Sequence, residues 1–339
     1  MSIRHRPMRP KDVRECVEIV ATHPVTGPRY GKSIADLGPA WLRLLRSNGF
    51  SGASVFEEVE EGAARPRPRM VAIGLGVFVS DDFLRELKMP PFFWIGPELA
   101  KRVMRGDSPV LSEKQVSEAN SRGGLNLVMW HVCIREEDAN RPEVGAELMA
   151  AMFEHHRGCL LKELVGQADS LEHLEGMRNT GGHLFNVKDG RWGALDAADP
   201  NDILSQPHVS GLDREVAERE LGSWIGYLFL YEPPRFGFSR SEQRLLLSAL
   251  AGGTDEELGV ELGLSLSTTK KLWRSVYRRV AARDPDLIPD DSQADGESSR
   301  RGRSKKQRLM AYLREHLQEL RPVSRKLLEQ RSERTRQPQ

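Results

Sequence analysis

The sequence predicts an α/β (α+β) N-terminal domain followed by an all-α C-terminal domain, and three observations carry that reading. Strand-like and helix-like patterns are mixed up to about residue 233, as expected of a sheet covered by helices. Pro233-Pro234 then breaks the chain, and the patterns beyond it are helical. Charge divides at the same place. From Arg235 onward 22 Lys and Arg stand against 15 Asp and Glu, a balance of +7; the overall +1 leaves −6 on the rest. A basic end on an acidic body points to a polyanion partner for that end.

The N-terminal elements follow from local pattern. Pro10 to Ala21 places Val13, Cys16, Val17 and Val20 on one helical face. Ala53–Val59 and Met70–Ser80 are apolar and β-branched, which predicts strands, with the charged, Pro-rich Glu60–Arg69 as their hairpin loop. Leu125–Ile134 (LNLVMWHVCI) is a continuous apolar run, as in a central strand buried on both faces. A helix is expected over Val144–His156, a strand over Leu161–Ala168, a helix over Ser170–Arg178 and a last strand over Trp224–Glu232. With 39% hydrophobic and 29% charged residues the chain reads as globular. It lacks an apolar run of about 18 residues and an apolar stretch after its basic start, so neither a membrane span nor a secretory signal is expected. Cys16, Cys133 and Cys159 are widely spaced, which argues against disulfides or a zinc site and for a cytoplasmic setting.

Beyond the break, helix signals are dense. Ser239 with Glu242 three residues later forms a capping box ahead of Leu245, Leu246, Ala249 and Leu250. Gly252-Gly253 ends that helix. Thr254 and Glu257 repeat the box for a short second helix that ends at Gly263, and a third helix runs from about Ser267 to Ala282. Between Leu266 and Arg283 there are six basic residues and no acid. Lys270, Arg274 and Arg278, spaced by four, form one stripe, with Leu272, Val276 and Val280 expected on the core side. The stretches FSRSEQRLLLSALAGG, Glu257-Leu258, Leu262-Gly263 and LSLSTTKKLWRSVYRRV resemble the LuxR-type helix-turn-helix in register, with Thr269 in place of the usual Val and Leu272 in place of the usual His. The resemblance implies a transcriptional regulator, working as a homodimer on double-stranded DNA, associated with the nucleoid. Its recognition helix, 266–283, enters the major groove with Thr268, Thr269, Lys270, Lys271, Arg274 and Arg278 as the DNA-binding residues. This places a DNA-binding domain at 234–285, a disordered polar linker at 286–304, and a basic helix and tail at 305–339.

The order of elements in 1–233 resembles the GNAT acetyltransferase superfamily, with IRHRPMRPKDVRECVEIV as first strand and helix and LNLVMWHVCI as central strand. That family holds the pyrophosphate of acetyl-CoA on a Gly-rich loop after the central strand. The corresponding loop here implies an acyl-CoA-like ligand at Arg141, Val144, Gly145 and Ala146. It departs from the pattern in Pro142, which lacks an N–H, in Glu143, which adds negative charge, and in Val144, which replaces a Gly. No Tyr lies between Tyr30 and Tyr227 to act as the family's general acid, and His131 and Glu136 are the alternative proton carriers. A sensing domain, GNAT-like or of the PAS or GAF kind, is therefore expected in preference to an enzyme. The alternative is a working N-acetyltransferase with an appended DNA-binding module.

Overall fold

The computed structural model describes residues 2–60, 68–168, 170–185, 204–219, 223, 225–250, 252–288 and 298–321. The chain divides into two compact units, Met1–Leu230 and Tyr231–Gln339.

The first unit is mixed α/β, as predicted. Its strands are β1 (Ser2–Pro7), β2 (Phe50–Val59), β3 (Arg69–Val79), β4 (Leu125–Ile134), β5 (Leu161–Gly166), β6 (His183–Leu184) and β7 (Ser210–Asp213). They form one sheet in the order β1-β2-β3-β4-β5-β7-β6. Only β4 and β5 run parallel; the other neighbours are antiparallel. The described helices are α1 (Val13–Thr22), α2 (Thr26–Tyr30), α3 (Ile34–Ser47), α4 (Asp81–Leu87), α5 (Ile95–Arg105), α6 (Glu113–Arg122), α7 (Pro142–His156), α8 (Leu171–Asn179) and α9 (Arg214–Arg219).

Helices α1, α3 and α5 bury their apolar stripes on one face of the sheet. Cys16, Ile19, Trp41 and Leu99 share a core with Val55, Leu75 and Val128. Trp41 is fully buried, and truncating such a side chain to Ala costs about 3–5 kcal/mol. Helix α7 covers the opposite face, where Val144 and Ala151 meet Phe56 and Ala72. The expected strand Trp224–Glu232 is corrected. Gly226–Phe229 is a 3-10 turn that buries Leu228 and Phe229, and the strand beside β5 is the short β7, because a Gly at 211 and Ser at 210 hide its strand pattern. The predicted hairpin loop lies mainly outside the described residues.

The second unit contains only helices among its described residues: α10 (Arg240–Leu250), α11 (Asp255–Leu262), α12 (Leu266–Ala281) and α13 (Ser298–Glu315), with a 3-10 turn at Leu317–Leu320. Both capping boxes form. Ser239 N–H donates to Glu242 at 2.7 Å, and Thr254 N–H to Glu257 at 2.7 Å. Gly263, at φ 66°, turns the chain from α11 into α12, a left-handed conformation that suits glycine. Helix α13 begins inside the segment expected to be a disordered linker, and it packs on the other three. Leu309, Met310, Leu313 and Leu320 join the core of Phe236, Leu246, Trp273 and Val276. A buried carboxylate closes this packing: Glu319 accepts the N–H groups of Arg235 at 2.8 Å and Phe236 at 2.9 Å. Burial raises its pKa against the opposing pull of those two N–H groups.

Glu319→Ala strands both N–H groups without their acceptor. The expected loss is about 2–4 kcal/mol for the second unit, read by denaturant unfolding followed by circular dichroism. A loss below about 0.5 kcal/mol means that the 317–320 turn is not anchored by this carboxylate.

Candidate functional site

Two regions concentrate chemistry, one in each unit. In the first, the parallel pairing of β4 and β5 stops at Val128–Val165, although β4 continues to Ile134. The reason lies just past the end of β5. Gln167 accepts the N–H of Ile95 at 2.7 Å and donates to the carbonyl of Phe93 at 3.0 Å, so the chain turns towards the start of α5 instead of following β4. Among the described residues, the second half of β4 has no strand partner on that side. There β4 also carries a bulge: Leu75 pairs with His131 but Gly76 with Met129, so Trp130 is the extra residue. The bulge shifts the side-chain alternation. Val128, Trp130 and Cys133 all join the α1/α3/α5 core, and His131 meets Trp41 and Tyr30 on that same face.

His131 is thus buried, with Nε2 2.6 Å from the Tyr30 hydroxyl, which also accepts Trp130 Nε1–H at 3.2 Å. Burial pushes the Tyr30 pKa well above its ordinary value, so the hydroxyl stays protonated. Gly96 makes room for it, since a Cβ there would collide with the Tyr30 hydroxyl oxygen. A cavity of about 40 Å³ touches Tyr30, His131, Cys133 and Gln167, room for about one water. The phenol and the imidazole thus share a buried hydrogen bond. Sequence reasoning set Tyr30 aside, because only the sheet brings it to His131 from the far end of α2.

On the opposite face a larger cavity, about 520 Å³, extends beneath α7 and reaches β4 at Met129 and Val132. Its roof is tied down from outside: His5 on β1 bonds Glu147 at 2.7 Å and Glu154 at 2.8 Å, both on α7. The expected ligand loop leads into this helix. Arg141 sits at the N-cap but points its guanidinium to Glu58, Asp138 and Glu143, at 2.8–2.9 Å. Arg69 joins the same group through Asp138, Glu58 and Glu137. The two arginines hold Asp138 below the usual carboxylate range, Arg69 contributing most. Arg141 does the same to Glu58, with Arg69 second. Val144 is fully buried in the core, and Gly145 and Ala146 lie in the first turns of the helix. Two arginines among four carboxylates leave a local balance of −2, and Pro142 supplies no N–H. These residues do not fit a pyrophosphate.

In the second unit, α12 sorts its basic residues. Lys270, Lys271, Arg274 and Arg278 are exposed, and no ion-pair partner meets them among the described residues. Arg279 instead pairs with Glu242 at 3.1 Å, and Arg283 donates to the carbonyl of Arg235 at 2.8 Å. Thr268 is half-buried, and its hydroxyl lies 2.9 Å from that of Ser265, the N-cap. Thr269, expected on the DNA-binding surface, is corrected: it is fully buried, and its hydroxyl donates to the carbonyl of Ser265 at 3.2 Å. It packs against Gly259, where a Cβ would come within 2.9 Å of the Leu264 carbonyl. The inner face of α12 is therefore Thr269, Trp273, Val276 and Val280, with Leu272 only half-buried.

No family model matches the chain, and no curated protein matches it in sequence. Among solved structures it is similar to one described as histone acetyltransferase HPA2 and related acetyltransferase, from Corynebacterium glutamicum. The two are 10% identical over 62% of this chain and 95% of that chain, with a TM-score of 0.33. Overlap at that level identifies neither a shared activity nor a shared ligand.

The His5 clamp gives the first unit a defined pH response. Its hydrogen bond to Glu154, seconded by Glu147, raises the His5 pKa above the ordinary value. A raised folded pKa contributes stability that is complete below about pH 6.5 and lost as pH rises through the folded value. Thermal unfolding from about pH 6 to about pH 9 is expected to show a decline in the wild type that His5→Ala largely removes. Equal declines in both proteins would exclude the clamp as its source.

Proposed function

We propose that the chain is a sequence-specific DNA-binding transcriptional regulator whose second unit docks α12 in the major groove and whose first unit senses a ligand. The observation that carries this reading is the outward face of α12. Lys270, Lys271, Arg274 and Arg278 follow the helical repeat on a surface without acids, while every larger side chain behind them is used for packing. The stripe from Lys270 to Arg278 runs about 12 Å along the helix at 1.5 Å per residue, and a helix about 10–12 Å across fits a major groove about 12 Å wide. Lys270 and Lys271, near the start of the helix, are placed for base edges, and Arg274, Arg278 and the Thr268 hydroxyl for phosphates. The LuxR-type register adds support, and the burial of Thr269 explains why that pattern has Val there: the position asks for a β-branched side chain of this size. Homodimerisation on two half-sites belongs to the same proposal.

A second reading, an N-acyltransferase with an appended helical module, is favoured by the opening between β4 and β5 and by the Tyr30–His131 hydrogen bond beside it. The acidic surroundings of Arg141 weigh against it. Calorimetric titration with acetyl-CoA separates the two readings. Saturable binding followed by acyl transfer to an amine would establish the enzyme; absence of heat would remove it.

Lys270→Ala and Arg274→Ala are each expected to weaken binding to a selected DNA site about tenfold or more without loss of helix content. Each phosphate contact removed should lower the slope of log K against log salt by about 0.9. Thr269→Val should bind as the wild type does. Wild-type affinity for both charge variants across several salt concentrations would refute the assignment of α12.

A further inference from the structure

The cavity under α7 lies within the first unit. Its volume of about 520 Å³ falls within the roughly 300–1,000 Å³ of small-molecule pockets and far exceeds the voids of a close-packed interior. Strand register shows how it arises. Three rows cross β2, β3 and β4: Gly52–Gly76–Met129, Ser54–Gly74–Val132 and Phe56–Ala72–Ile134. A sheet floor under a helix ordinarily carries branched or aromatic side chains. Here β2 and β3 supply mostly glycine, serine and alanine, and glycine inside a strand often marks the close approach of another group.

The chain itself fills only part of this space. The His155 ring occupies the place of a side chain at position 52, where a Cβ would lie 2.6 Å from its Cγ. From above, Leu148, Met149 and Met152 line the cavity and stay half-buried, although they lie on the inner side of the helix. A covering helix that leaves its apolar residues so incompletely packed is spaced for an occupant.

We propose that this cavity binds an uncharged, mainly apolar small molecule with one hydrogen-bonding end; the inference rests on the sensing role given above to the first unit and names its ligand class. Phe56, Val132, Ile134, Leu148, Leu164 and Met177 form apolar walls, and methionines adapt to irregular shapes. The histidine rings at the inner end already bond the chain, His155 to Ser54 at 2.7 Å and His156 to Ser51 at 3.0 Å. Asn140, Ser170, Glu172 and His173 line the end towards which β4 runs, and they would take the polar group. Ala139 and Asn140 continue directly from Asp138 and its carboxylate-rich network, which disfavours an anionic head group. The ligand class thus differs from an acyl-CoA.

Fluorescence titration of the full-length protein with N-phenyl-1-naphthylamine, an uncharged apolar probe, tests the proposal. One saturable site is expected, together with a raised unfolding temperature. Leu148→Trp, which fills the cavity, is expected to weaken binding by at least about tenfold. Val132→Phe serves as the second filling variant if circular dichroism shows the first to be unfolded. Coenzyme A at millimolar concentration should leave the probe in place. Lack of saturable binding, wild-type affinity in a folded filling variant, or displacement by coenzyme A would each overturn the proposal. DNA binding is measured on the same wild-type protein. Its loss with probe binding intact removes the regulator reading alone, and the converse removes the cavity assignment alone.

Discussion

The first unit is organised by the early end of one parallel strand pair. β4 and β5 separate after Val128–Val165, and the Gln167 side chain holds the departing chain on Phe93 and Ile95. A sheet that parts in its middle leaves backbone groups without strand partners, and open α/β sheets tend to bind ligands at such crevices. The bulge at Trp130 adds to this, because it turns His131 to the side where Tyr30 waits. One face of the opening becomes a tight polar cluster with room for about one water. The other becomes a large apolar cavity, because the floor beneath α7 is made of small residues.

In the second unit the governing constraints are close backbone approach at Gly259 and a left-handed turn at Gly263. The first lets α11 pack on Thr269 and the Leu264 carbonyl; the second makes the left-handed turn between the helices. Once that corner is fixed, Trp273, Val276 and Val280 face inward, and Lys270, Lys271, Arg274 and Arg278 on the other side are exposed. Charge then gathers where packing does not compete for it. Arg279 and Arg283 lie off that face and work as struts instead, which is why six basic residues reduce to four in the proposed contact surface.

Much of this was legible locally. β4 coincides with the apolar run Leu125–Ile134, and Ser239, Thr254 and Gly263 mark helix ends by their own side-chain or backbone chemistry. Failures fell where local pattern was a poor guide. LFLYE near residue 230 has strand propensity, but the chain there needs a tight turn to bury Leu228 and Phe229. Thr269 looked like a polar contact residue, yet its hydroxyl is satisfied by the carbonyl of Ser265 within its own helix, which lets it be buried. The alternating small residues at 52, 54, 74 and 76 were a signal of the cavity, but they acquire meaning only once β2 and β3 are paired in register.

The sequence by itself determined the mixed class of the first unit, the caps of the helices and the acid-free face of α12. Each depends on interactions within a few residues or on composition. Tertiary structure alone decided that Tyr30 meets His131, that Arg141 is enclosed by carboxylates, that Glu319 anchors the 317–320 turn, and that a cavity lies beneath α7. The first three join residues about eighty to a hundred positions apart; in the first unit their geometry follows from how strands and helices pack, which no local run of residues encodes.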